Sequence, residues 1–120
     1  MKIKTVILIL VAFCVIIITS CEYKFVELEE LPDDPVIFSI QIEPVFQEKC
    51  ITCHSSTSPV LTTGNAYNNL INGNYINTEA PEASVLYEKI DGGHPGGSNS
   101  LSAEEIALIL KWIEEGAENN

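Results

Sequence analysis

The sequence contains no arginine; its six basic residues are all lysine, against 17 acidic ones, for a formal charge of -11 over 120 residues. A protein that neutralises nucleic-acid phosphates needs clustered Lys or Arg, so a nucleic-acid partner is excluded. Methionine occurs once, as Met1, and histidine twice, as His54 and His94. No apolar run reaches the roughly 20 residues of a membrane-spanning helix. The longest, Val6 to Ile18, has thirteen. There is no internal repeat, and the length leaves room for one domain once any targeting segment is subtracted. With 46% hydrophobic and only 19% charged residues the chain is not of the disordered class, so a small folded core is expected.

Lys2 and Lys4 precede the apolar run, and Thr19, Ser20 and Cys21 follow it. This order of charged, apolar and small residues is that of a signal peptide, residues 1–20. The competing transmembrane reading fails on length and on the acidic Glu22 that follows. Ile18-Thr19-Ser20-Cys21 resembles a bacterial lipobox, which implies that Cys21 is lipidated and becomes the mature N-terminus. The expected location is then the bacterial cell envelope, lipid-anchored on the periplasmic or outer-surface side. Removing residues 1–20 takes away two lysines and no acid, so four lysines face 17 acids and the mature charge becomes -13. Residues 21–36 hold six acids and two prolines with little apolar content, the composition of an extended tether.

Of the four cysteines, Cys14 lies in the signal segment and Cys21 at its end, which leaves Cys50 and Cys53 in the exported domain. They stand in Cys50-Ile51-Thr52-Cys53-His54, the CxxCH pattern of c-type haem attachment. Residues i and i+3 share a helical face, so both sulfurs can reach one edge of a flat macrocycle while the next imidazole swings under the iron. Two other chemistries use such residues. A thioredoxin-like dithiol normally follows a strand in a βαβ setting, and no second βα unit is visible. Zinc held by Cys50, Cys53, His54 and His94 would require one short turn to aim three adjacent groups at a single small ion.

Apolar residues fall at 36, 38, 40 and 42, then at 45, 46, 50 and 53. The period shifts from two to a helical spacing near Pro44, which suits a first helical turn. A first helix is therefore expected to begin between Ile40 and Pro44 and to deliver the CxxCH motif at its C-terminal end. Val45, Phe46, Cys50 and Cys53 would share its buried face, with Glu43, Gln47, Glu48 and Lys49 mostly outward. Residues 55–65, rich in Ser, Thr, Pro and Gly, read as a loop over the edge of a cofactor. Short helices are expected at Ala66–Ile71 and Glu82–Ile90, the second with Val85, Leu86 and Ile90 as its stripe and Gly92 or Gly93 as its stop. The last helix has a capping box, Ser102 with Glu105, and an apolar stripe of Ile106, Ile109, Leu110, Ile113 and Ala117, widened by Leu108 and Trp112. The sum is an all-α domain of about four short helices over residues 37–120, small enough to need a staple that a covalent haem would supply.

Ile42-Glu43-Pro44-Val45-Phe46-Gln47-Glu48-Lys49-Cys50-Ile51-Thr52-Cys53-His54 is similar to the pattern I-x-P-[VI]-F-x-x-x-C-x-x-C-H of class I-type cytochrome c domains, especially short haem modules of secreted bacterial proteins. The similarity continues through residues 81–87 and 101–117 and covers most of the domain. It implies a small cytochrome c-like fold around one covalent haem c, with the first and last helices crossing near Phe46 and Trp112. It also implies thioethers at Cys50 and Cys53 and His54 as proximal ligand. In such modules the sixth ligand is usually a Met before the last helix, but the only Met here is Met1. His94-Pro95 occupies that place, so ligation by His54 and His94 is the expectation, against water, Lys89 or no protein group on the iron. An imidazole in place of Met should lower the redox potential, as should the acidic surface.

The function so implied is that of a membrane-anchored electron carrier rather than an enzyme. No catalytic triad is formed, since both histidines are taken up by the iron. Its partners would be redox proteins with a basic docking patch, steered by charge, and the membrane through the lipid. The alternative is a haem sensor or peroxidase-like enzyme whose sixth ligand is displaceable or absent.

Overall fold

The computed structural model describes residues 3, 31, 33–94 and 101–120. The expected signal peptide, Cys21 and nearly all of the expected tether, as well as residues 95–100, lie outside the described residues. Among the described residues the regular structure is entirely helical, as expected of an all-α domain, and no helix is long and apolar enough to cross a membrane.

The chain enters through an extended segment and turns at once into a π-helical turn, Phe38–Ile42, in which the Glu43 N–H reaches back to the Phe38 carbonyl. This wide turn runs directly into α1, Glu43–Lys49, with Pro44 in its first turn, where a missing N–H costs nothing. The apolar positions 36, 38, 40 and 42 therefore do not form a strand. Val36, Phe38 and Ile42 are buried, whereas Ile40 points out at 68% exposure. Val36 belongs to the packed unit, so packing begins one residue before the expected boundary at Ile37.

A single further turn, α2 at Ile51–His54, follows a break at Cys50. Next come α3 (Ala66–Asn72), a 3₁₀ turn at Pro81–Ala83, α4 (Val85–Asp91) and α5 (Ala103–Glu114). Two of these helices stop the same way. At the end of α3 the Tyr75 N–H bonds the Leu70 carbonyl and Asn74 takes a positive φ of 55°. At the end of α5 the Ala117 N–H bonds the Trp112 carbonyl with Gly116 at φ 104°. Both are Schellman closures, and each seats an apolar side chain beyond the helix against the last turn. Helix α4 runs three residues shorter at its start than expected, because Pro81–Ala83 forms its own tight turn. Val85 is accordingly exposed, while Leu86 and Ile90 are buried.

Helix α5 carries the core. Ile109, Trp112, Ile113 and Ala117 are buried, with Ile106 and Leu108 partly so. Phe38 meets Trp112 with ring centres 5.1 Å apart, Tyr67 at 5.4 Å and Phe46 at 6.4 Å. The contact between the first and last helical elements thus runs through Phe38 of the π turn, with Phe46 behind it. Offset and tilted aromatic pairs of this kind add roughly 0.5–1.5 kcal/mol each beyond the area they bury.

The two ends of the domain are sewn together. The Val36 N–H donates to the Glu115 carboxylate, Phe38 N–H to Asn120 Oδ1, and Ser39 N–H to the Asn120 carbonyl. Lys111 donates to the Asp34 carbonyl and pairs with Glu115 at 3.5 Å. The first residues of the packed unit are thereby fixed to its last helix.

Candidate functional site

The CxxCH motif begins where α1 ends. Cys50 has φ -115°, away from the helical value, although its N–H still bonds the Phe46 carbonyl. That break restarts the helical register, so Cys50 is half-buried but Cys53 is exposed. The expectation that Cys53 continues the buried face of α1 is therefore corrected. Both thiols are free. Burial pushes the Cys50 thiol up from its ordinary value, and the Glu105 carboxylate and Cys53 add in the same direction. A redox-active dithiol depends on a lowered thiol pKa, so this environment is the reverse of what a thioredoxin-like motif needs.

His54 is the last residue of α2 and is half-buried. Its Nδ1 lies 2.9 Å from the Pro59 carbonyl oxygen and 3.3 Å from that of Thr57. A carbonyl can only accept, so Nδ1 carries the proton and donates, and the lone pair of the neutral ring sits on Nε2. This is the arrangement in which a histidine serves a metal through Nε2, with the outer hydrogen bond fixing tautomer and ring orientation.

His94 follows α4 and the glycine pair Gly92-Gly93, the latter at φ 85°. It is half-buried, and its ring centre is 5.9 Å from that of His54, with the planes inclined at 60°. The structure therefore brings together two histidines that stand 40 positions apart in the sequence. Lys89, the other nitrogen ligand considered for the iron, is exposed. Cys21 lies outside the described residues. No group of three or more His, Cys, Asp or Glu side chains among the described residues is gathered as a metal site. A four-ligand zinc centre requires such a gathering, whereas a haem iron takes four of its ligands from the macrocycle and at most two from the protein.

The loop 55–65 is fixed rather than draped. Gln47 Nε2 donates to the Leu61 carbonyl at 2.6 Å, and Glu43 Oε1 accepts from the Gly64 N–H at 2.7 Å. Both side chains are partly buried, which corrects the expectation that they point mostly outward. Sequence reasoning also missed the Pro59 carbonyl, since a backbone acceptor leaves no mark in residue type. A cavity of about 330 Å³ lies elsewhere, at the seam of the termini, lined by Pro35, Val36, Trp112, Glu115, Glu118 and Asn120. It shares no residue with the motif.

Compared with known proteins, the chain matches no family model, no curated protein and no solved structure.

Proposed function

We propose that the chain is a membrane-anchored mono-haem c-type cytochrome that carries single electrons. In this reading Cys50 and Cys53 hold one haem c through thioethers, His54 and His94 bind the iron, and Cys21 bears the lipid. The observation that carries the reading is the disposition of the two histidines. His54 is locked as the Nδ1–H tautomer by Pro59, and the His94 ring lies 5.9 Å away. Two imidazoles that share one metal, each bound at about 2 Å, have ring centres about 6 Å apart, so the separation fits one iron between them. The finer cytochrome c-like fold belongs to the same proposal. It is supported by a small all-helical domain in which the last helix packs on the segment leading into the motif.

The group would supply an iron that alternates between ferric and ferrous states. The remaining tasks fall to the chain. The neutral His54 ring offers Nε2, its basicity raised by the Nδ1–H bond to the Pro59 carbonyl. The acidic surface favours the more highly charged oxidised state and steers a basic partner protein toward the domain, an effect that weakens with salt. The test is the visible spectrum of the protein exported from a cytochrome c-maturing host, oxidised and reduced, with and without carbon monoxide. A sharp low-spin reduced spectrum unmoved by carbon monoxide is expected. A high-spin or carbon monoxide-shifted spectrum would replace the carrier with the sensor or peroxidase-like alternative, and a colourless protein would end the haem reading.

A further inference from the structure

We propose that Gln47 and Glu43 are positioning residues for His54. They latch the 55–65 strap onto α1 and so hold the Pro59 carbonyl on His54 Nδ1. The proposal rests on the reading of His54 as an iron ligand and adds the elements that tune it. Glu43 and Gln47 are four residues apart, on one face of α1. Gln47 donates to the carbonyl of Leu61, and Glu43 accepts from the N–H of Gly64, so the same helical face grips the strap at two points three residues apart.

Leu61 is the fulcrum. Its side chain is buried at 3% exposure, its carbonyl accepts from Gln47, and its N–H donates to the His54 carbonyl at 2.8 Å. The strap is thereby closed on His54 at its backbone, and Pro59, two residues before Leu61, has its carbonyl set by that closure. Without the latch the strap keeps the Leu61 N–H bond, the buried Leu61 side chain and the 3.3 Å contact between the Ser58 and Tyr75 hydroxyls, and loses both of its ties to α1. Neither the Pro59 oxygen, at 2.9 Å, nor the poorer Thr57 oxygen, at 3.3 Å, would then be held against Nδ1, and the preference for a proton there would weaken. Two side chains that never touch the iron would in this way set the tautomer and basicity of the residue that does.

The first readout uses the haem-free full-length chain, at a pH where imidazole is neutral. Two-bond proton–nitrogen correlation spectra report which nitrogen of His54 carries the proton. The second readout is the midpoint potential of the haem-loaded chain. Wild type should be the Nδ1–H tautomer. Gln47→Met, which removes the donor at nearly constant volume, and Glu43→Leu, which removes the acceptor, should each shift His54 toward the Nε2–H form. Both should also raise the midpoint, because a histidine with a weakened Nδ1–H bond donates less to ferric iron. Glu43→Gln changes the charge as Glu43→Leu does but keeps an oxygen for Gly64, so it should retain the wild-type tautomer.

The proposal is overturned if Gln47→Met and Glu43→Leu leave the tautomer as in wild type, or if the two Glu43 variants shift it alike. Should Gln47→Met fail to fold by circular dichroism, the Glu43 pair decides alone. A wild-type chain that leaves a maturing host without covalent haem overturns the carrier reading, while the tautomer measurement on that same chain still decides the latch.

Discussion

The ring centres of His54 and His94 lie 5.9 Å apart, although one residue ends α2 and the other follows α4. Neither helix could present both, so the pairing is a product of the tertiary fold. The partners differ in how they are held: the His54 ring is tied to the Pro59 carbonyl, whereas His94 follows the glycine pair Gly92-Gly93, the latter at φ 85°. In the proposed cytochrome, His94 should accordingly be the ligand that is lost or exchanged more readily.

Replacing His94 by Ala should leave the haem attached through Cys50 and Cys53 but convert the reduced spectrum to high-spin and make it responsive to carbon monoxide. His94→Met should instead stay low-spin with a higher midpoint potential, since a thioether favours ferrous iron more than imidazole does. Spectra and potentiometric titration of the two variants beside wild type check both outcomes. A His94→Ala spectrum identical to wild type would remove His94 from the iron.

Phe38 sits at the centre of the aromatic group formed with Phe46, Tyr67 and Trp112 and is 2% exposed. Truncating such a ring forfeits its transfer free energy and leaves a cavity, so Phe38→Ala should cost about 3–5 kcal/mol. Small domains have only about 5–15 kcal/mol in total. The neighbouring Ile40→Ala, at 68% exposure, should stay within about 0.5 kcal/mol of wild type. Urea unfolding of the full chain followed by Trp112 fluorescence reads both changes.

The side chain of Asn120 accepts from the Phe38 N–H at 2.7 Å and donates to the Val36 carbonyl at 3.3 Å. Asn120→Ala leaves a partly buried N–H unsatisfied, for which a loss of about 1–2 kcal/mol is expected. The adjacent, exposed Asn119→Ala should change stability by less than about 0.5 kcal/mol. Equal unfolding midpoints for the two variants would show that the Asn120 side chain contributes no stability at the seam between the domain's first residues and its last helix.

What the sequence reveals is what is local. The Ser102–Glu105 capping box and the stripe of α5 both depend on residues within a turn or two of one another, and both form as read. The motif Cys50 to His54 was legible for the same reason. The features misread depend on distant backbone. The period of two at 36–42 does not reveal that a five-residue turn places Phe38 and Ile42 on the core side and leaves Ile40 outside. Helical spacing extends the face of α1 to Cys53, although the break at Cys50 resets it. Gln47 and Glu43 read as mostly outward because their partners, the Leu61 carbonyl and the Gly64 N–H, are backbone atoms in a loop whose path no residue pattern specifies.

The start of α5 makes a pH-dependent contribution whose sign follows from Glu104. Bonds from its own backbone N–H and from the Ser102 hydroxyl lower its carboxyl below the ordinary value of 4.5. The position in the first turn of a helix favours the anion further. A carboxyl depressed in the folded state stabilises the fold above its unfolded pKa, and that contribution disappears as the pH falls through the folded value. Wild type and Glu104→Gln should therefore differ in unfolding midpoint at neutral pH and converge as the pH is taken through 4.5 and below. Ser102→Ala removes the bond to Glu104 together with the acceptor for the Glu105 N–H, so it should cost about 1 kcal/mol at neutral pH and show a shallower pH dependence than wild type. Thermal unfolding of the three chains across this range reads the difference, and parallel curves for wild type and Glu104→Gln would place the pH dependence of the fold in other carboxylates.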